Sequence, residues 1–303
     1  MHYCVIGAGA VGGALAAFLL RAGLTCDIIA RGKTMEILKK QGICLQKNGE
    51  TQIVPCARVC DSERYNERPD VIFVAVKGYS LESIVPVLSR ICTENTVVIP
   101  LLNIYGTGAV LQEKLPKPLV TDGCIYIAAS SPRPGTVEMQ GDIFRAVYGV
   151  RECAQMRPAL QAVAEDLKQA GITPVLSENI RRDTLKKYAY TSPMAAAGLY
   201  FDADAGRFQK EGEERALFVS LMREIDALAK AMGTPFDVDI VKTNLTILDA
   251  LSPNASTSMQ RDLRAGKPSE IDGLLFEPVR LGKRYGVPTP QYRKIAEHFG
   301  FSE

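Results

Sequence analysis

The sequence predicts an α/β chain: an N-terminal domain built on a parallel sheet, followed by an all-α C-terminal domain. Three observations carry that expectation. Short β-rich runs alternate with helical patterns through the first half. From about residue 180 the β signals fade and helical periodicity takes over. The 303 residues also exceed the usual size of one hydrophobic core, which makes two domains the default. The boundary falls near Glu178, giving domains of residues 1–178 and 179–303.

In chain order, Tyr3–Ile6 reads as a strand, Ala14–Ala22 as a helix and Cys26–Ala30 as a second strand. Val71–Val76, Leu81–Arg90 and Thr96–Leu102 repeat the strand, helix, strand pattern, which places helices on both faces of a parallel sheet. Ile43–Val54, with Asn48-Gly49 at its centre, predicts a hairpin inserted after the second strand. Leu119–Ala129 and the pair Thr136–Met139 and Ile143–Val150 are expected as further strands, antiparallel at the sheet edge. Met156–Ala170 is an amphipathic helix closed by Gly171, and Thr173–Leu176 a last short strand. The helices expected beyond the boundary are Lys186–Gly198, Glu213–Met232, Val238–Leu248, Leu274–Tyr285 and Gln291–His298. No long linker separates the halves, so close packing around a cleft is expected.

Charge excludes some partners. Thirty-six basic against 34 acidic residues give a net charge of +2 with no polybasic block, which points away from nucleic acid and from an anionic membrane. Apolar runs are short, and the N-terminus reads as a strand, so neither a signal peptide nor a membrane span is expected. The eight cysteines all lie between positions 4 and 153 without a C-x-x-C pair, as reduced core thiols would in the cytoplasm. With His only at positions 2 and 298 there is no ligand cluster for a metal, and proton chemistry has to use another residue type.

Gly7, Gly9 and Gly12 stand in G-x-G-x-x-G spacing between the first strand and the first helix. The first glycine allows the tight turn, the second lets backbone approach a pyrophosphate, and the third lets helix and strand pack. Residues Gly7, Ala8, Gly9, Ala10, Val11 and Gly12 are therefore the expected cradle of a dinucleotide on a Rossmann-type domain. The second strand ends in "DIIARGK", which offers Arg31 and Lys33 and no acid there, so NADP is favoured over NAD; the plain alternative is a solvated Arg31. Lys77 and Asn103 sit just past two parallel strands, at the carboxyl ends where such sheets bind ligands.

A nicotinamide hydride delivered to a carbonyl leaves an alkoxide that needs a proton. None of the eleven tyrosines has Lys four residues later, and the two histidines are poorly placed, which leaves lysine as the leading type. In "RRDTLKKYAYTSPMAAAG", Lys187, Thr191 and Ala195 share one helical face and Lys186 turns about a hundred degrees away. Spacing alone does not separate a lysine aimed into a site from two surface lysines laid over apolar contacts. The polar stretch "TSMQRDLRAGKPSEID" has a capping reading of its own. Thr257 with Gln260 forms a capping box, Gly266 and Pro268 end one helix, and Ser269 with Asp272 caps the next.

With these residues in order, and with "RPGTVEMQGDIFRAVYG" ahead of the boundary, the chain resembles the ketopantoate reductase family over nearly its whole length. The most specific part is Ser-Met-x-x-Asp followed by Glu-Ile-Asp. The resemblance implies NADPH-dependent reduction of a small-molecule 2-oxo acid, typically 2-dehydropantoate to (R)-pantoate, on a Rossmann domain plus a helical domain. It makes Lys187 the general acid and Glu270 its tuning partner at the cofactor side. Ser258 becomes a substrate ligand, and Asn103 holds substrate and nicotinamide ribose together. Gly7 to Gly12, Arg31 and Lys77 serve the cofactor. A homodimer is compatible with the helical half.

The departures bear on specificity. Where the family usually has Asn four and eight residues after the lysine, this chain has Thr191 and Ala195. The usual Gln-Asn-Gly has become Leu102, Asn103 and Ile104. Thr191 keeps one hydrogen-bonding group for substrate and Ala195 none. Two other readings therefore stand beside ketopantoate reduction: a D-2-hydroxyacid dehydrogenase for branched or aromatic 2-oxo acids, and a non-catalytic NADP-binding sensor.

Overall fold

The structure, a computed structural model, describes residues 1–302, which separate into two compact units. One comprises Met1–Leu102 and Gly106–Ile180; the other comprises Asn103–Tyr105 and Arg181 onward. The segment Asn103–Tyr105 thus clusters with the second unit, not with the first, where chain order alone puts it.

The first unit runs β1 (His2–Ile6), α1 (Ala10–Arg21), β2 (Thr25–Ile29), α2 (Gly32–Gln41), β3 (Ile43–Lys47), β4 (Glu50–Val54), β5 (Arg58–Cys60) and β6 (Val71–Val74). It continues with α3 (Leu81–Ile91), β7 (Val97–Pro100), α4 (Thr107–Lys114), β8 (Leu119–Val120), β9 (Asp122–Ser130), β10 (Thr136–Gly149), α5 (Pro158–Gln169) and β11 (Thr173–Leu176). A six-stranded sheet has the order β5-β2-β1-β6-β7-β8, every pair parallel. Helix α1 is buried from Gly12 to Leu19. Its sequence is apolar nearly all round because it has two sheets to cover.

The second sheet corrects the expected edge strands. Thr136–Gly149 is one strand with an irregularity between Gln140 and Phe144, and it pairs in a separate sheet, parallel to β3 and β11 and antiparallel to β9. The run from Leu119 splits in two: β8 closes the parallel sheet and β9 enters the other. The hairpin at Asn48-Gly49 forms as its residues dictate, with φ of 53° and 82° at the two central positions. Sequence periodicity missed α2, α4 and β5, which are short or largely exposed.

The second unit is helical: α6 (Ile180–Tyr200), α7 (Ala205–Phe208), α8 (Glu213–Ala231), α9 (Ile240–Asp249), α10 (Ser258–Arg264), a π-helical turn at Asp272–Phe276, α11 (Glu277–Tyr285) and α12 (Pro290–His298). No helix of the described residues is long and apolar enough to cross a membrane. Two prolines shape this unit. Pro193 inside α6 has no N–H for the carbonyl of Ala189, and the side chain of Asn244, 2% exposed on α9, donates to that oxygen instead at 3.0 Å. Pro278 has no N–H to offer the π turn, whose Gly273 and Leu274 carbonyls lie five and four residues before it. Tyr188 Oη donates to the first and Ser192 Oγ to the second, each at 2.7 Å. Helix α6 is thereby fixed to the π turn through two successive side chains on one face.

The Thr257–Gln260 capping box is present at the start of α10. The expected cap of the next helix by Ser269 and Asp272 is not. The Asp272 carboxylate instead accepts from the Arg280 guanidinium, Nη1 at 3.1 Å, one helical stretch further on. Asn244→Ala should lower unfolding stability by about 1–3 kcal/mol, because it strands a buried carbonyl. Urea denaturation of the purified protein measures this, and Thr246→Ala on the exposed side of the same helix serves as the reference.

Candidate active site

The three glycines of the first loop stand in three different surroundings. Gly7 has φ +99°, and a Cβ there would lie 2.8 Å from the Ala75 carbonyl oxygen at the end of β6. A Cβ on Gly12 would overlap the Gly7 carbonyl and stand 3.1 Å from Ala75 Cβ, so the crossing of α1 over the sheet forbids it. Gly9 caps α1 with φ −80°, a conformation open to any residue, and a Cβ there would meet nothing within 4 Å. The protein itself does not need glycine at position 9. The space in front of it, at the N-terminus of a 12-residue helix with no acid in its first turn, suits a pyrophosphate.

Arg31 is exposed and caps the N-terminus of α2, directly after β2. The acid within β2, Asp27, is 4% exposed and engaged inside the protein. It accepts from Tyr65 Oη at 2.8 Å, and His2 Nε2 lies 2.8 Å away. The strand end is therefore left to a cation. Lys77 is half-buried just past β6, and its carbonyl accepts from Ser80 N in a 3₁₀ turn.

In the second unit, Lys187 Nζ donates to Asn103 Oδ1 at 2.8 Å, across 84 positions of sequence, and both residues are half-buried. Lys186, its neighbour, turns outward and pairs with Asp237 at 3.1 Å, holding that exposed carboxyl below its ordinary range. The two lysines that spacing left equivalent have thus separated into a surface ion pair and an ammonium on an amide. Thr191 spends its hydroxyl proton on the Lys187 carbonyl at 3.1 Å, while Ala195 is fully buried. Ser258 is the half-buried first residue of α10. Glu270 precedes the π turn and is 5% exposed, so it does not point into solvent; its carbonyl accepts from Leu274 N.

Sequence reasoning missed the residues that support this pair. Burial pushes the Tyr188 hydroxyl far up from its ordinary range, so it remains a donor to the Gly273 carbonyl. Its ring packs 6.1 Å from that of Tyr105. The signal available in the sequence was Ile104, a branched residue where the resemblance leads one to expect glycine.

A glycine-loop dinucleotide domain with a cation at the end of its second strand, joined to a helical unit carrying a lysine on an amide acceptor, fits an NADP-dependent oxidoreductase. The profile described as ketopantoate reductase PanE/ApbA matches residues 3–152 and its C-terminal counterpart matches residues 179–302. The chain belongs to the ketopantoate reductase family, whose reductases act on CH–OH groups and depend on NADPH. A 2-dehydropantoate 2-reductase of Mesorhizobium japonicum is 26% identical over 313 residues, covering 96% of this chain and 94% of that one. Two solved structures share the fold. D-mandelate dehydrogenase with NADH and anilino(oxo)acetate gives a TM-score of 0.89 at 21% identity, over 98% of this chain and 96% of that one. A dimeric ketopantoate reductase from Staphylococcus aureus gives 0.82 at 22%, over 98% and 97%.

The two kinds of glycine predict opposite phenotypes. Gly9→Ala should leave the thermal midpoint of the ligand-free protein in place and weaken NADPH by about tenfold or more. Gly12→Ala should cost the ligand-free protein about 1–3 kcal/mol through overpacking. Calorimetry and a fluorescence titration with NADPH read the two effects separately.

Proposed function

We propose that the protein reduces a 2-oxo acid with NADPH, with 2-dehydropantoate, giving (R)-pantoate, as the best single substrate. The observation that carries this reading is the 2.8 Å bond from Lys187 Nζ to Asn103 Oδ1. The amide oxygen fixes the direction of Nζ, and an ammonium so placed can give its proton to a developing alkoxide. When bound, NADPH supplies the hydride that reduces the C2 carbonyl. Lys187 gives its proton to the C2 oxygen, and Asn103 sets the direction of Nζ. Ser258 binds the polar end of the substrate, and Glu270, buried, tunes the lysine and the cofactor side. The backbone of Gly7 to Gly12 takes the pyrophosphate, Arg31 the 2′-phosphate, and Lys77 a further contact.

A second reading keeps the same chemistry and changes the substrate. Thr191 has committed its only proton to a carbonyl and Ala195 offers none, which favours a 2-oxo acid with a branched or aromatic side chain over a hydroxylated one. A homodimer fits the description of the Staphylococcus aureus relative as dimeric. The reaction belongs in the cytoplasm, in keeping with eight free cysteines. A cofactor-binding sensor without turnover is the remaining alternative, and steady consumption of NADPH with any 2-oxo acid eliminates it.

Lys187→Ala should lower kcat by about 10²–10⁴-fold with NADPH affinity retained, followed as loss of reduced-nicotinamide absorbance. Lys186→Ala should stay within about twofold of wild type, as expected for an exposed ion pair. Arg31→Ala should raise the KM for NADPH by about tenfold or more and leave that for NADH in place, the loss of a charge-assisted hydrogen bond. A panel of 2-oxo acids decides between the two substrate readings: a rate on 2-dehydropantoate far above all others sinks the second, and a preference for an apolar side chain sinks the first.

A further inference from the structure

We propose that Ile104 and Gly273 form a matched pair that positions Asn103 for Lys187, so that the size of residue 273 sets turnover without setting cofactor affinity. The proposal rests on the reading of Lys187 as proton donor. Ile104 is the residue after Asn103, and its side chain occupies the space that a side chain at 273 would need. A Cβ on Gly273 would lie 2.6 Å from Ile104 Cγ1 and 2.9 Å from Cγ2, and closer still to Cδ1. Because isoleucine is branched at Cβ, turning χ1 exchanges one methyl or methylene for another and does not clear the site.

Backbone conformation does not explain the glycine. Gly273 is absent from the positive-φ positions and lies inside the π-helical turn, where alanine is the intrinsically more stable residue. The three atoms nearest to such a Cβ all belong to Ile104. The carbonyl of the same glycine accepts from Tyr188 Oη at 2.7 Å, and Tyr188 is the residue after Lys187. A closed circuit results: Lys187 to Asn103 by hydrogen bond, Asn103 to Ile104 by the chain, Ile104 to Gly273 by contact, Gly273 to Tyr188 by hydrogen bond, and Tyr188 back to Lys187 by the chain. Donor and acceptor are registered on one residue of the π turn. Ile104 fills the space that Gly273 leaves open, so a side chain at 273 displaces Ile104 and with it the amide next door.

The test uses the full chain with Gly273→Ala, Ile104→Ala, the double variant and Lys187→Ala, with kcat measured at saturating NADPH and NADPH affinity measured by fluorescence. Gly273→Ala should lower kcat about tenfold or more with NADPH affinity within about twofold of wild type, the signature of misplaced reacting groups. Adding Ile104→Ala should recover kcat to within about threefold of the Ile104→Ala protein, a coupling that independent sites do not show. Should Gly273→Ala fail to fold, Ile104→Ala, which only removes atoms, gives a separate reading: about threefold or more off kcat with NADPH affinity unmoved. A wild-type kcat in Gly273→Ala or in Ile104→Ala overturns the pairing, as does a folded double variant no faster than Gly273→Ala. Full turnover in Lys187→Ala sinks the proton-donor reading instead; an inactive Lys187→Ala beside a wild-type Gly273→Ala sinks only the pair.

Discussion

The hydrogen bond between Lys187 and Asn103 is the constraint around which the second unit is organised. Its donor sits on α6 and its acceptor on a three-residue segment that leaves the parallel sheet of the first unit to cluster with the helices. Both ends have to be held, and the sequence does so at a local cost. Proline at 193 removes a helical hydrogen bond from α6 and Asn244 restores it; proline at 278 offers no N–H to the π turn, whose Gly273 and Leu274 carbonyls accept from Tyr188 and Ser192. Each repair uses a buried polar side chain, and Ser192 Oγ also lies 2.6 Å from Tyr292 Oη, so α6 is held in one rotation and Lys187 in one direction. The neighbouring Lys186, paired with a carboxylate at the surface, shows what the same side chain does without such support.

The first unit is governed by close approach. Helix α1 has to pass between two sheets, and Gly7 and Gly12 permit that crossing. Gly9 differs in kind, because nothing in the protein presses on it. A loop whose outer glycines are required by packing and whose middle glycine is required by no protein contact is shaped for a ligand that approaches the backbone. The buried engagement of Asp27 by Tyr65, close to His2, removes the only acid of β2 from the cofactor question and leaves Arg31 at the strand end.

Much of this was legible in the chain. The parallel sheet followed from alternating strand and helix patterns, the dinucleotide loop from its glycines, the hairpin from Asn48-Gly49 and the start of α10 from Thr257 and Gln260. Periodicity could not reveal that β9 and β10 leave the first sheet, because sheet membership is decided by which face α1 covers and not by a strand's own residues. Nor could spacing choose between Lys186 and Lys187, since both fit the same helix and only their partners, Asp237 and Asn103, differ. The cap expected from Ser269 and Asp272 failed because Arg280, eight residues later, offers the Asp272 carboxylate a charged donor. The Ile104–Gly273 contact was hidden for the same reason as the lysine pair: it joins residues far apart in sequence that no local rule connects.

The central claim is that the Lys187 ammonium, oriented by Asn103, gives the proton. Chemical rescue tests it most directly: Lys187→Ala assayed with NADPH, a 2-oxo acid substrate and increasing concentrations of small primary amines. The account predicts that turnover returns with amine concentration and follows the protonated fraction of the amine. A Lys187→Ala protein that turns over at the wild-type rate without amine, or one that stays inactive at every amine concentration while still binding NADPH, contradicts it.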